Sequence, residues 1–173
     1  MFVFIEPDPA ARRRVLPAFF DAAVRYGQLF GQVYTTHPDV RGAAIWIAPE
    51  HTSMTEDKLV QAGFDRVGEA LGEEAMGRFM QVIEAIDPVH EQAAPGPHWY
   101  LLGLGTDPTH QSTGVGSALI AAGFAVATAQ GLPAYLETMN EKNVAYYQNR
   151  GFRLAGEGQV PSGPRVWTFV KTS

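Results

Sequence analysis

Hydrophobic positions recur along this chain with two different periods, and the change between them falls at Pro95-Gly96-Pro97. Ahead of that cluster, Val15, Phe19, Ala22, Ala23 and Tyr26 lie at helical spacing and predict a helix of about Ala10 to Phe30. Two short strands follow, Gln32 to Thr36 and Gly42 to Ala48, turned through Pro38-Asp39. The Ala43-Ala44-Ile45-Trp46-Ile47 run has no polar position, so the second strand reads as buried, and Pro49 stops it. Ser53 and Glu56 have capping-box spacing and predict a helix start there. Leu59, Val60, Phe64, Val67 and Leu71 mark its apolar face. Gly72 divides it from a second helix carrying Met76, Phe79, Met80, Ile83 and Ile86, which Asp87-Pro88 is expected to close.

After the cluster, strand and helix alternate. His98 to Thr106 is a strand ending at Asp107-Pro108, and Gly114 to Gln130 is a helix with Gly131 as its stop. Val115, Ala118, Leu119, Ala122 and Val126 line one side of that helix, and Ile120, Phe124 and Ala127 cover much of the other, which predicts burial on most of its circumference. Ala134 to Met139 is a short strand and Asn143 to Arg150 a short helix ended by Gly151. Two last strands, Phe152 to Val160 and Arg165 to Lys171, turn through Pro161-Ser162-Gly163-Pro164. The pattern predicts an α/β fold with a mixed sheet.

Composition narrows the function. At 173 residues and 46% hydrophobic, the chain is one globular domain's worth, with enough apolar surface for one core. A net charge of −5 argues against non-specific binding to nucleic acid or to an anionic membrane. The absence of cysteine removes disulfides, thiolate catalysis and cysteine-based zinc sites, and fits a reducing, cytoplasmic setting. The histidines show no metal spacing, so no metal is expected. Val115 to Ala129, the longest nearly apolar stretch, holds Ser117 and Thr128 and is shorter than the ~20 residues of a membrane span.

The chemically informative stretch is Thr106 to Ala118, which links a strand to the start of a helix and carries Gly114 and Gly116. The first turn of a helix has unpaired N–H groups and a partial positive charge, so it can hold an anion through backbone alone. The stretch reads either as a pyrophosphate cradle or as a plain glycine turn. A Walker loop is excluded because no lysine follows a glycine here. A dinucleotide fingerprint fits poorly, because Leu119 stands where its third glycine belongs and seven residues separate Thr106 from Gly114. Asp107, His110 and Ser112 lie too close on one loop for a hydrolytic triad.

Gln111-Ser112-Thr113-Gly114-Val115-Gly116-Ser117-Ala118 resembles motif A of the GCN5-related N-acetyltransferases (GNAT), Gln/Arg-x-x-Gly-x-Gly/Ala. Its neighbours agree in order and spacing, and Asn140 to Phe152 resembles the family's Asn-x₆-Tyr-x₃-Gly-Phe signature. Pro97 to Leu101, Leu136-Glu137-Thr138 and Val160 to Trp167 are similar to the branch that includes puromycin N-acetyltransferase. The resemblance covers Phe30 to the C-terminus. It implies a mixed, mostly antiparallel sheet flanked by helices, with splayed central strands and one domain over residues 1–173. Residues 1–95 would form the acceptor side and 96–173 the acetyl-CoA-binding and catalytic half.

The resemblance also implies acetyl transfer from acetyl-CoA to a primary amine of a small molecule, by direct attack in a ternary complex. A catalytically silent acyl-CoA-binding module is the alternative. Backbone groups of Leu104 and Thr106 would pair with the pantetheine arm, and Gln111, Ser112, Thr113, Gly114, Val115, Gly116 and Ser117 would hold the pyrophosphate. Tyr147 would be the general acid, and Tyr146 beside it would serve packing. Many relatives carry Lys or Arg where this chain has Thr113, which removes a possible phosphate contact. Asn143 is open between a cofactor contact and a helix cap; Asn140 leans to the cap. Glu137 is a candidate base, or else a solvated charge at a strand end, with His98 and then His90 behind it. Family members normally begin with a strand and a helix that here are missing or shortened. The Gln32–Thr36 strand is therefore expected to be an open edge, covered in a homodimer.

Overall fold

The computed structural model describes residues 1–172. A one-turn helix α1 (Phe2–Ile5) and a long α2 (Pro9–Phe30) precede strands β1 (Gly31–Thr35) and β2 (Gly42–Ile47). Helices α3 (Glu56–Ala62) and α4 (Asp65–Ala93) follow. Then come β3 (Trp99–Thr106), α5 (Val115–Ala129), β4 (Ala134–Thr138), α6 (Lys142–Gln148), β5 (Arg153–Gln159) and β6 (Arg165–Lys171). The strands form one sheet in the order β1-β2-β3-β4-β6-β5. Every neighbouring pair is antiparallel except β3 and β4, which are parallel and joined through α5, as a parallel pair requires.

Helices cover both faces of the sheet, and the alternation of β2 explains its apolar run. Ala44 and Trp46 pack with Leu119 and Ile120 of α5, whereas Ile45 and Ile47 pack with Ala23 and Tyr26 of α2. Trp46 presses on α5 so closely that a Cβ on Gly123 would collide with the indole ring. A third cluster joins Ile5 to Val82, Val160 and Val166, and the Arg78 guanidinium pins α1 by donating to the Ile5 carbonyl at 2.7 Å. No strand precedes α2 among the described residues, and β1 pairs with β2 alone, so it is an edge strand as expected.

Three local expectations are corrected. Ser53 does not cap a helix: α3 begins after Thr55, which makes no side-chain cap bond, and the Ser53 carbonyl instead accepts from the Lys58 ammonium. The helix breaks first at Gly63, with φ of 89°, while Gly72, with φ of 71°, is a kink within α4. Asp87-Pro88 does not close α4, which continues to Ala93. Proline removes one helical hydrogen bond, but Val82, Ile86 and Val89 form a stripe buried against the β5–β6 end of the sheet, and that burial carries the helix through.

Candidate active site

The parallel contact between β3 and β4 is only two residues long, Trp99 opposite Ala134 and Tyr100 opposite Tyr135. Beyond Tyr100, β3 pairs with β2 on one side only; beyond Tyr135, β4 pairs with β6 on one side only. The two central strands therefore splay, and backbone groups of Leu101–Thr106 that point away from β2 have no strand partner. Leu104 and Thr106, the expected pantetheine partners, lie on this stretch.

Strand alternation sends side chains at the splay to opposite faces. Leu136 joins the α5-side core with Trp99, Leu101 and Tyr147. Glu137 projects to the α2–α4 face, where Tyr100 and Tyr135 also lie. The residue is partly buried with its Oε2 enclosed, not a solvated strand-end charge, and the Tyr100 hydroxyl donates to its Oε1 at 2.5 Å. Its Oε2 has no hydrogen-bond partner; neither have the Tyr135 hydroxyl beside it and Thr168 Oγ1 on the register position opposite. Burial pushes the carboxyl up to about 7; the neighbouring tyrosine hydroxyls oppose that rise, and the charge of Asp87 adds to it. A group poised there exchanges its proton near neutral pH.

His98 and His90 adjoin this cluster without reaching the carboxylate by any hydrogen bond. Since a carbonyl only accepts, His98 Nδ1 donates to Gly96 at 2.7 Å, its Nε2 is the acceptor, and His90 Nε2 donates to it at 2.8 Å. The His90 ring stacks on Tyr135 at 3.9 Å. Burial and the neighbouring imidazole push His90 down to about 4, and burial lowers His98 too, so both stay neutral near pH 7. With their ring nitrogens so engaged, the pair braces the wall behind Glu137.

Tyr147 is 7% exposed, packed against Phe152 and Phe169. Burial raises its hydroxyl to about 12, and the charges of Tyr146 and Glu137 add to the rise. The charge of Glu137 thus reaches Tyr147, although the two side chains belong to opposite faces of the sheet. The Asn residues anchor the start of α6: Asn140 Oδ1 accepts from the Lys142 N–H at 3.2 Å, and Asn143 Nδ2 donates to Thr138 Oγ1 at 3.3 Å. Both side chains are engaged within the protein.

The glycine loop is open. Gln111, Ser112, Thr113 and Gly114 are exposed, and Thr113 Oγ1 donates to the His110 carbonyl at 2.7 Å. Gly114 has φ of 92° and nothing near its Cβ direction, so it serves both the turn and close approach from solvent. The first helical bond runs from Ala118 to Gly114, which leaves the N–H groups of Val115, Gly116 and Ser117 as the free donors of the first turn. This open, donor-rich turn fits an anionic cofactor. Gly116 plays a different part from the one its spacing suggests: the space of its missing Cβ is filled by the Tyr146 hydroxyl. Tyr146 is therefore more than packing for α6, because it locks α6 to the first turn of α5.

Sequence reasoning missed Arg150. Its Nε and Nη2 donate to Ser117 Oγ at 3.0 and 2.7 Å, and its Nη1 donates to the Tyr146 carbonyl at 2.6 Å. The only available signal was a cation immediately before Gly151, which names no partner. Two surface clefts exist elsewhere, one beside Glu6 and the Gly72 kink, one between α4 and Gly158 of β5; neither includes Glu137 or Tyr147. No group of three or more His, Cys, Asp or Glu among the described residues is placed to hold a metal ion, and no helix is long and apolar enough to cross a membrane.

The profile of the acetyltransferase (GNAT) family matches residues 59–152, over half of the chain and spanning the splay, the glycine loop and α6. The chain belongs to the GNAT acetyltransferase family. A similar solved structure is "histone acetyltransferase HPA2 and related acetyltransferase" of Corynebacterium glutamicum, 21% identical over 96% of this chain and 79% of that one, with a TM-score of 0.60. Another is the Drosophila melanogaster polyamine N-acetyltransferase, an enzyme that forms N-acetylagmatine, 15% identical over 97% and 83% of the two chains, with a TM-score of 0.53. A shorter match, to a candidate acetyltransferase of Agrobacterium tumefaciens, is 26% identical, covers 43% of this chain and 56% of that one, and has a TM-score of 0.40. The mixed six-stranded sheet with its flanking helices is the GNAT fold.

Proposed function

We propose that this protein is an acetyl-CoA-dependent N-acetyltransferase acting on a primary amine of a small molecule. The observation that carries the reading is the pairing of Glu137 and Tyr147 on opposite faces of the strand splay, one near neutral in its titration and one firmly protonated. Acetyl-CoA would supply an activated acyl group as a thioester. Residues 96–173 would hold it, with backbone donors of β3 near Leu104 beside the carbonyl oxygen and the first turn of α5 around the pyrophosphate. Residues 1–95 would line the acceptor side.

An alkylamine with a pKa near ~10.4 is mostly an ammonium at neutral pH. Glu137 takes that proton, directly or through water, and frees the nitrogen lone pair for attack on the acyl carbon. An acid near 7 does this better than an ordinary carboxylate, because less of the proton's affinity difference must be made up. Tyr147 gives its hydroxyl proton to the sulfur as the carbon–sulfur bond breaks, and the second proton shed by the attacking nitrogen returns to the tyrosinate through water, leaving a neutral amide, a free thiol and a protonated Tyr147. Its raised pKa is no obstacle, since the burial that raises the phenol disfavours the thiolate too. The buried carboxylate also favours a cationic acceptor over a neutral one. A homodimer over the edge of β1 belongs to the same reading.

Release of free coenzyme A thiol across a panel of aliphatic amines tests the proposal. Amine-dependent turnover supports it. Coenzyme A binding without turnover on any amine would instead indicate an acyl-CoA-binding module.

A further inference from the structure

We infer that Arg150 is a positioning residue for the coenzyme's pyrophosphate, acting through Ser117 and supplying the positive charge that Thr113 lacks. The inference rests on the acetyl-CoA reading above. Arg150 Nε and Nη2 both end on Ser117 Oγ, at 3.0 and 2.7 Å. A hydroxyl oxygen has two acceptor sites, so both are occupied, and the Ser117 hydrogen is left to donate. Ser117 sits in the first turn of α5, where the N–H groups of Val115, Gly116 and Ser117 are also unpaired. The guanidinium thus converts a serine that could donate or accept into one that only donates.

The guanidinium is held within the protein: its Cζ lies 3.3 Å from the Tyr146 ring centroid, its Nη1 donates to the Tyr146 carbonyl, and the backbone carbonyl of Arg150 accepts from the Lys171 ammonium at 2.8 Å. Tyr146 in turn fills the notch at Gly116. Three of the five guanidinium N–H groups are engaged within the protein, which leaves two donors and the full charge beside the turn. The one carboxylate of the loop, Asp107, is engaged locally: its Oδ1 accepts from the Thr109 N–H at 2.8 Å and from the Thr109 hydroxyl. The local charge at the first turn is therefore positive although the chain carries −5 overall. The cation comes from the turn after α6 and not from the loop itself.

Isothermal titration with coenzyme A at low and high salt, followed by steady-state kinetics, tests this. Arg150→Gln should weaken coenzyme A binding about tenfold or more. It should also flatten the salt dependence, because the screened charge is gone, and it should raise the KM for acetyl-CoA in step with the lost affinity. Arg150→Lys keeps the charge without the fork and should fall between. Ser117→Ala should lose affinity severalfold with the salt dependence intact. If Arg150 only glues α6 to α5, Arg150→Gln melts earlier and loses kcat but binds coenzyme A with wild-type affinity and salt response; that result overturns the inference. Should Arg150→Gln fail to fold, Ser117→Ala and Arg150→Lys with wild-type affinities overturn it equally. A wild-type protein that binds no coenzyme A overturns the acetyltransferase reading itself, and shows this before any variant is made.

Discussion

Tyr147 and Glu137 differ in what the amino-acid sequence could say of them. The spacing to Gly151-Phe152 singled out Tyr147 over Tyr146, and the structure buries Tyr147 beside the splay. Tyr147→Phe is expected to lower kcat by roughly 10²-fold or more with coenzyme A affinity unchanged, since the hydroxyl matters only as sulfur departs. Turnover at saturating cofactor beside titration calorimetry checks both halves. Glu137 was legible as a candidate base or as a solvated charge at a strand end, and the sequence could not choose between them, because its surroundings are created by α2 and α4 folding over the sheet. Its raised pKa predicts that kcat/KM climbs as pH passes about 7. The same shift has a stability consequence. Glu137 holds its proton more tightly folded than unfolded, so its contribution is full below the ordinary carboxylate range and is lost as pH rises toward 7. His90, pushed down to about 4, works in reverse: its contribution is present above the ordinary imidazole value and is lost as pH falls toward 4. The two slopes oppose each other between these limits. Glu137→Gln should therefore lose activity yet show stability that rises more steeply with pH from 4 to 6.5 than the wild type. Urea unfolding across that range measures it; an unchanged profile would remove Glu137 as the source.

The α5 helix shows how one element answers to two neighbours. Its glycines look alike in sequence, yet Gly114 faces open space, Gly116 faces the Tyr146 hydroxyl, and Gly123 faces the Trp46 indole. Gly123→Ala is expected to destabilise the fold by about 1–3 kcal/mol, because the helix must move off β2 to admit a methyl group. Gly116→Ala should displace Tyr146 and loosen the α5–α6 joint; its effect on cofactor binding would follow from that displacement and not from a filled cradle. Thermal melts of the two variants, with Tyr146→Phe as the comparison for the second, separate these effects. Helix α4 gives the opposite lesson. Pro88 is a strong local stop signal, and the stripe of Val82, Ile86 and Val89 overrides it.

Across the molecule, one edge of the sheet is β1, which among the described residues pairs only with β2 and is half exposed along its length. Leu29, two residues ahead of it, is 55% exposed. An open edge beside exposed apolar surface favours pairing with a second chain. A dimer at micromolar concentration is the expected result of light scattering, and a stable monomer would count against it. The other edge strand, β5, packs against α4, where a Cβ on Gly158 would stand 3.2 Å from the Ala85 carbonyl oxygen and from Val89 Cγ1.

Periodicity alone determined the order of strands and helices after Gly31, the mixed sheet, and the glycine turn at the head of α5, because these depend on local spacing of apolar and breaker residues. Tertiary structure decided the rest, because burial and approach are set by what the chain folds over. It continued α4 through Pro88, made a buried near-neutral acid of Glu137, and withdrew His90 and His98 into a mutual hydrogen bond. It also carried Arg150 from the turn after α6 to Ser117, 33 positions away in sequence, where no spacing rule along the chain could place it.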